Sequence, residues 1–491
     1  MLQRTMAPRF THSASLLPAL LVQLFMLGFA GCAHYAPKPL APDRSLQELQ
    51  ARHLSDPAVL SVVQAKTGGI SQTSPAEPGT GPVSWGRAQL LVAALELNPA
   101  LREARATLAQ STAGIRTARE LQNPTVSLSN EYDLTRAAES PWLWGLATSV
   151  LLDTFSSRGL RVDLAQTNLR GATADFSEAT WTVRRDLRTA LLGVMVTDRR
   201  VTALEADVQG RTRLLRLAQA RVDAGESPRP DTLQANLELA RAQSALDDAR
   251  SASASSKSQL AAALGVTSAA LSEITPVWED LADPAPVPEA LLGSLRERAL
   301  LSRADMARAI ADYDAKELEL KQQTSAQYLQ ASLGPGYTYD HGVRKLTFGA
   351  SMSVPIFNRN QGPIAEAVAA RETAGQHVLA VQAGILNEID AAAAAYSRSL
   401  DALRRVHEQR VTSESLAQAA QRALDADATD RPTVLAAELS ASTERLAELD
   451  ALDRAQQALG QLEDALRTPV AGPETELHLF DAQAAKGEKR P

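Results

Sequence analysis

The sequence predicts an α+β fold with an internal two-fold repeat, in which long antiparallel helical hairpins carry four short membrane strands. Three observations lead there. Stretches 124–152 and 329–356 alternate apolar with small or polar residues at period two, the pattern of paired strands. Two other stretches keep apolar residues at heptad spacing over lengths that no globular-domain helix reaches. The two halves also align at a constant offset of 202 residues, pairing Phe155 with Phe357, Leu187 with Ile389, Pro230 with Pro432 and Leu233 with Leu435. A period this long marks a duplicated half, not a solenoid.

The N-terminus reads as a secretory signal. Arg4 and Arg9 precede an apolar run from Leu16 to Phe29, too short to span a bilayer, and the run ends in LGFAGC. Ala30 and Gly31 are the small residues a lipoprotein signal peptidase needs before Cys32, although Phe29 departs from the usual leucine. Cys32, the only cysteine of the chain, is the expected acylated (palmitate-bearing) N-terminus, which leaves no thiol for a disulfide. Loss of residues 1–31 removes Arg4 and Arg9 and takes the formal net charge from −7 to −9. Residues 32–83 are rich in Pro and Gly, with one helical patch near Leu46–Gln64, and read as a linker. No run of 18 or more apolar residues follows the signal, so any membrane crossing is expected from strands.

The first repeat is expected over residues 84–265. Ser84 is placed as the cap of a helix through Leu97, which Asn98-Pro99 breaks; a second helix runs to about Leu121. In the first strand pair, Val126, Leu128, Tyr132 and Leu134 alternate with Thr125, Ser127, Ser129, Glu131 and Asp133; Asn130 interrupts the apolar face. In its second strand Trp142, Trp144, Leu146, Val150 and Leu152 alternate with Gly145, Ala147 and Ser149. A helix then runs from Gly159 to about Ala224, with Val183, Leu187, Leu191 and Val194 on one stripe and Val201, Val208, Leu215 and Val222 at heptad spacing. At 1.5 Å per residue it would be roughly 95 Å long and needs partner helices throughout. DAGESPRPD reverses it, and Asp231–Gly265 returns.

Residues 266–288 read as an irregular Pro-rich connector. The second repeat, 289–467, has the same plan: a helix from Glu289 to about Tyr328, a strand pair, a helix from Pro363 to about Asp425, the turn DADATDRP, and a helix from Thr433 to Arg467 with Leu452, Leu459 and Leu466 at heptad spacing. In this strand pair Leu329, Ala331, Leu333, Tyr337 and Tyr339 share a face opposite Ser332, Gly334, Gly336 and Thr338. Leu346, Phe348, Ala350, Met352, Val354 and Ile356 share one opposite Thr347, Gly349, Ser351 and Ser353. Each run has about the 9–11 residues that a tilted strand needs to cross a bilayer. Trp142, Trp144, Tyr337, Tyr339 and Phe348 are the expected lipid-facing anchors, with a wet lumen on the other side. The polar tail 468–491 is expected to be disordered.

Four strands cannot close a barrel, and an open edge in lipid leaves backbone groups unpaired at several kcal/mol each. The chain must therefore oligomerise. A dimer would give eight strands and a filled barrel, a trimer twelve and a pore.

Two repeats of helix, strand pair and long helical hairpin behind a lipobox resemble the TolC family of outer-membrane factors over roughly Ser84 to Arg467. NPALREARATLAQSTAGIRTAR, VDAGESPRPDTLQA and VPIFNRNQGPIAEA are similar to family patterns, the last to the heavy-metal, CzcC-like branch. The resemblance implies a homotrimer whose twelve strands form one β-barrel in outer-membrane lipid and whose helices form a periplasmic α-barrel. It implies a lipid-anchored outer-membrane exit duct of a tripartite efflux system. That duct passively takes heavy-metal cations from an inner-membrane pump of the proton-driven RND type through a periplasmic adaptor (membrane fusion protein). Drugs or other small molecules are the alternative cargo. The two helical turns would then share the far end of the tube. Asp231 stands where the family pattern G-x-x-x-x-x-D-x-L places an acid, with Gly225 and Leu233 as its partners. Asp223, Asp427 and Asp430 are the other acids of the candidate gate, with Arg229 and Arg431 as counter-charges. Asp427 replaces the family's frequent Gly, and Thr433 its frequent acid.

No enzyme is expected. His12, His34, His53, His341, His377, His407 and His478 are scattered, and none pairs at helical spacing with another His or with the Cys, so no metal cluster or cofactor site is legible. There is no nucleophile elbow and no phosphate-binding Gly loop. The charge balance, 50 Lys and Arg against 57 Asp and Glu, argues against nucleic acid. A lipid-anchored structural coiled coil would explain the helices but not two alternating strand pairs.

Overall fold

The computed structural model describes residues 35–68, 83–135, 140–152, 157–328 and 330–477. The chain divides into two units, Met1–Ala51 and Arg52–Pro491. The described part of the first holds one helix, α1 (Pro42–Gln50), opened by a proline at its first position. Cys32, the signal and residues 69–82 of the expected linker lie outside the described residues.

The second unit opens with α2 (Pro57–Thr67), capped by Asp56, whose carboxylate accepts from the Ala58 amide at 2.9 Å. The single helical patch expected near Leu46–Gln64 is therefore two helices. Ser84 is not a helix cap: it lies in β1 (Val83–Trp85), which pairs in parallel with β4 (Ile274–Pro276). The cap of α3 (Arg87–Leu97) is Gly86, whose amide donates to Gln89 Oε1 at 2.8 Å. A three-residue strand recruited from nearly two hundred residues away leaves no local signal. The connector likewise holds α7 (Ser268–Leu271) and β4, and buries Trp278 and Leu281.

Long helices follow the expected plan. They are α4 (Pro99–Arg119), α5 (Ser157–Asp223, 67 residues), α6 (Arg229–Leu264), α8 (Glu289–Ser302), α9 (Ala304–Ser325), α10 (Gln361–Asp425, 65 residues) and α11 (Arg431–Leu466). Where one helix was expected from Glu289 to Tyr328, Arg303 takes an extended conformation and separates α8 from α9. Its side chain is buried and donates to the Ala465 carbonyl at the end of α11, 2.5 Å away. Its backbone still bonds to Ala299 and Ala307, so the side chain anchors the break, and no Gly or Pro marks it. Asn98 does the same in the first repeat, donating from Nδ2 to the Ala263 carbonyl near the end of α6 at 2.8 Å.

α5 packs against α6, α4, α9 and α11, and α10 against α11 and α9. The main core sits where α3, the β1–β4 pair and the connector close on the middle of α5; a smaller one lies between α10 and α11. α10 is also long and apolar enough by composition to cross a membrane, and little of its apolar window is buried within the chain.

The four longer strands are β2 (Thr125–Tyr132), β3 (Trp142–Leu151), β5 (Gln330–Asp340) and β6 (Val343–Ser353). They form one antiparallel sheet in the order β2-β3-β5-β6. The tail is not disordered throughout: residues 468–477 fold back, with a 3₁₀ turn at Pro473–Glu476 that buries Glu474. A buried charge partner, described below, holds this polar segment down.

Candidate functional site

The register of the sheet sorts its side chains into rows. Leu128, Leu146, Tyr337 and Leu346 lie opposite one another across the four strands, as do Asn130, Trp144, Tyr339 and Arg344. Trp142, Trp144, Tyr337, Tyr339 and Phe348 all fall on this face. Leu346 is 87 % exposed and Phe348 73 %, so the face has no cover within the chain. Tyr132 meets Trp142 edge-on with ring centres 4.8 Å apart, and Trp144 lies 5.4 Å from Tyr337 and 6.1 Å from Tyr339. These aromatics gather near the two strand turns. Asn130 is level with them and with Arg344, where a polar group belongs to a water boundary. The other face carries Ser127, Ala147, Gly336 and Thr347 in one row. Gly336 is tight there, since a Cβ on it would come within 2.6 Å of Thr347 Oγ1.

Halfway along α5 a charged cluster is buried that no local pattern announces. Arg184 and Glu463 are each 1 % exposed and pair at 2.8 Å. Arg184 also donates from Nε to Glu474 of the folded-back tail at 2.7 Å. Arg188 lies 3.2 Å from Glu463 and donates to the carbonyl of Gln456 at 2.9 Å. The Val470 amide donates to Glu463 Oε1 at 2.9 Å. Arg184 stacks over Trp181, while Arg87 and Arg188 both lie over Trp278. Burial pushes the Glu463 carboxyl up, but Arg184 and Arg188 outweigh it and hold it below its ordinary value. Its neighbour Asp464 goes the other way: burial raises it, against the Trp181 indole N–H that donates to it at 2.9 Å. Burial also pushes the Tyr396 phenol up to about 12. The cluster ties α5, α11 and the tail into one waist. Only its charge balance could have been sought in the sequence, and the partners are separated by nearly three hundred residues.

The two helical turns repeat each other atom for atom in several respects. Gly225 and Asp427 both take the left-handed conformation, with φ of 74° and 53°. The amide after each closes the same helix-ending bond: Glu226 to the Arg221 carbonyl and Ala428 to the Ala423 carbonyl, both at 2.8 Å. Asp223 and Asp425 each accept from a glutamine one turn earlier, Gln219 at 3.0 Å and Gln421 at 2.9 Å. The helix starts differ. Pro228 offers no cap to α6, and Asp231 sits in its first turn. Asp430 caps α11 by accepting from the Thr433 amide at 3.0 Å, and the Thr433 hydroxyl and amide hold its carboxyl below the usual range. The acid missing at Thr433 has thus moved to the cap. Arg229 and Arg431 are exposed first-turn residues; neither makes a hydrogen bond or ion pair among the described residues. The cation near Asp430 is instead Arg221 of α5, which also lies 3.8 Å from Glu226. The register that pairs Arg213 with Glu438 and Arg200 with Asp450 brings it there.

Between α5 and α10, above α11, runs a groove of about 500 Å³ lined by Gly210, Arg213, Glu414, Gln418, Leu439 and Arg445. Among the described residues no group of three or more His, Cys, Asp or Glu converges as a metal site.

An apolar-faced sheet too narrow to close, standing on two duplicated helical hairpins, is the fold of solved outer-membrane channels. Residues 90–266 match the family described as "Outer membrane efflux protein". The chain is 24 % identical over 324 residues to the cobalt-zinc-cadmium resistance protein CzcC of Cupriavidus metallidurans, covering 65 % of this chain and 74 % of that one. Its fold is similar to that of a membrane protein from Pseudomonas aeruginosa, with TM-score 0.66, 19 % identity, and coverage of 79 % of this chain and 91 % of that one. It is also similar to CusC, solved in connection with transmembrane channel formation, with TM-score 0.64, 18 % identity, and coverage of 81 % and 95 %. The expected efflux family, fold class and likeness to the heavy-metal branch therefore stand. This is a family of channels, not of enzymes.

Proposed function

We propose that three copies of this chain form the exit duct of a tripartite efflux system, passing heavy-metal cations passively from an inner-membrane pump and periplasmic adaptor to the exterior. The observation that carries the reading is the four-stranded sheet, whose outer strands β2 and β6 each leave an edge unpaired within the chain. In lipid those edges must pair with further copies, and twelve strands enclose a pore. Trp142, Trp144, Tyr337, Tyr339 and Phe348 then face lipid, and Cys32 anchors the mature N-terminus. The groove above α11 and the exposed Arg229 and Arg431 offer the adaptor a surface. The likeness to CzcC supports metal cations as cargo; a wide duct needs no ligand cluster to pass them.

The test is twofold. Purified protein in a planar bilayer should conduct, and deleting its gene should lower tolerance to divalent metals while leaving tolerance to lipophilic drugs unchanged. Loss of drug tolerance alone would overturn the cargo, and absence of conductance the duct. Mass spectrometry of the N-terminal peptide should show a diacylglyceryl adduct on Cys32.

A further inference from the structure

The VPIFNRNQGP motif has no part in the channel reading, and its geometry is unusual. Directly below β6, Ile356 is 69 % exposed and Phe357 100 %, the most exposed large apolar side chain described. The loop that holds them is not loose. Asn360 takes the left-handed conformation at φ 59°. It donates from Nδ2 to the Gln323 carbonyl of α9 at 2.8 Å and to Gln323 Oε1 at 2.9 Å. Its amide donates to Asn358 Oδ1 at 2.8 Å, closing an Asx turn. The Ile356 amide donates to the Val354 carbonyl at 2.9 Å. Two asparagines therefore pin the loop to α9 and turn the apolar pair outward.

The height of the loop says what it meets. Where the alternation was expected to run through Ile356, β6 ends at Ser353; its apolar face carries Leu346, Phe348, Ala350 and Met352, and Ile356 lies three residues beyond it. The ten steps of β6 from Val343 to Ser353, tilted by about 40°, rise about 26 Å along the membrane normal, which is the height of a barrel's apolar band, so Ile356 and Phe357 stand at its lower edge. Such bands end in an aromatic girdle at both water boundaries. Here the sheet aromatics Tyr132, Trp142, Trp144, Tyr337 and Tyr339 lie toward the strand turns and Phe348 midway along β6, so they make only one girdle. At the helix end the described aromatics are Phe357 and Tyr328, the latter 50 % exposed at the foot of β5. Arg359 follows, exposed and without a hydrogen bond or ion pair among the described residues. It stands at one end of the band as Arg344, opposite Tyr339, stands at the other.

We infer that Ile356, Phe357 and Arg359 form a lipid-binding foot. The apolar pair enters the periplasm-facing leaflet and the guanidinium holds a phospholipid phosphate, preferring anionic lipid. This rests on the barrel reading and extends it to a site outside the strands. In a Cys32→Ser background, nitroxide labels at Phe357→Cys and, as a control, Phe348→Cys report their surroundings in the full-length protein. The vesicles contain phosphatidylethanolamine and phosphatidylglycerol. The label at 357 should be open to oxygen and shielded from an aqueous nickel chelate, at the depth of the headgroup boundary. A label at 357 open to the nickel chelate would show water. One shielded from both quenchers would show protein cover by a neighbouring copy. Either overturns the foot while a lipid-exposed 348 leaves the barrel standing; a label at 348 not exposed to lipid overturns the barrel. Arg359→Gln should lower the preference for spin-labelled phosphatidylglycerol over phosphatidylcholine at least twofold, and an unchanged preference removes Arg359 from the site.

Discussion

Asp427 holds a backbone conformation that glycine holds at the matching place in the other repeat, with φ of 53° against 74° at Gly225. A side chain in this region is strained, so Asp427→Gly should stabilise the hairpin by about 0.5–1 kcal/mol, and Gly225→Ala should destabilise it similarly. Thermal unfolding of the two variants checks both signs. The buried cluster makes a second prediction. Removing the charge of Glu463 leaves Arg184 and Arg188 in the interior with one acid fewer, so Glu463→Gln should cost about 3–5 kcal/mol. Its pH dependence has a definite sign. The folded-state value of Glu463 lies below the ordinary 4.5, so its contribution is present above 4.5 and is lost as pH falls through the lowered value. The gap in melting temperature between wild type and Glu463→Gln should therefore close in acid. A gap constant from pH 7 down to pH 3 would contradict the pairing.

At the scale of elements, β6 of the proposed barrel separates a lipid face from a lumen face one residue apart. Leu346→Arg or Phe348→Arg should cost about 2–4 kcal/mol per copy at mid-bilayer, while Thr347→Arg points into water and should be tolerated. Yield of assembled, heat-resistant oligomer ranks the three. The helical turns divide differently. Asp430 is engaged as a helix cap, so its substitution loosens the start of α11 as well as changing charge. Arg229 and Arg431 have no such engagement in one chain. If they link to acids of neighbouring copies, Arg229→Ala with Arg431→Ala should raise single-channel conductance, and Asp231→Asn should weaken cation preference. Unchanged conductance and reversal potential would place the constriction elsewhere.

For the whole molecule, the open sheet edges set the assembly. Detergent-corrected mass should be three times that of the chain, and no folded, inserted monomer should survive dilution. The exposed apolar residues Leu233 and Leu237 on α6, and Leu379 and Leu416 on α10, mark the faces left for neighbours within the helical tube. The folded-back tail belongs to the same scale. Truncation after Arg467 removes Glu474 and uncovers Arg184, so it should destabilise the waist more than the loss of a free tail would. An unchanged melting temperature would separate the tail from the fold.

Periodicity alone determined the repeat, the helical hairpins and the alternating strands, because each is written in contiguous residues: Leu346 to Met352 at spacing two, Val201 to Val222 at spacing seven. The turn residues were legible for the same reason, since Gly225 and Asp427 sit at one offset. What only the tertiary structure decided depends on partners distant in sequence. Ser84 reads locally as a cap, yet β4 makes it a strand. Arg303 breaks a helix without Gly or Pro because the end of α11 offers a carbonyl. The polar tail reads as solvent-bound until Glu474 meets Arg184. Arg221 approaches Asp430 only through the register of two packed helices. A local pattern reports which face of an element is apolar; which charge waits on the other side is set by packing, and packing brings together residues that no window of sequence contains.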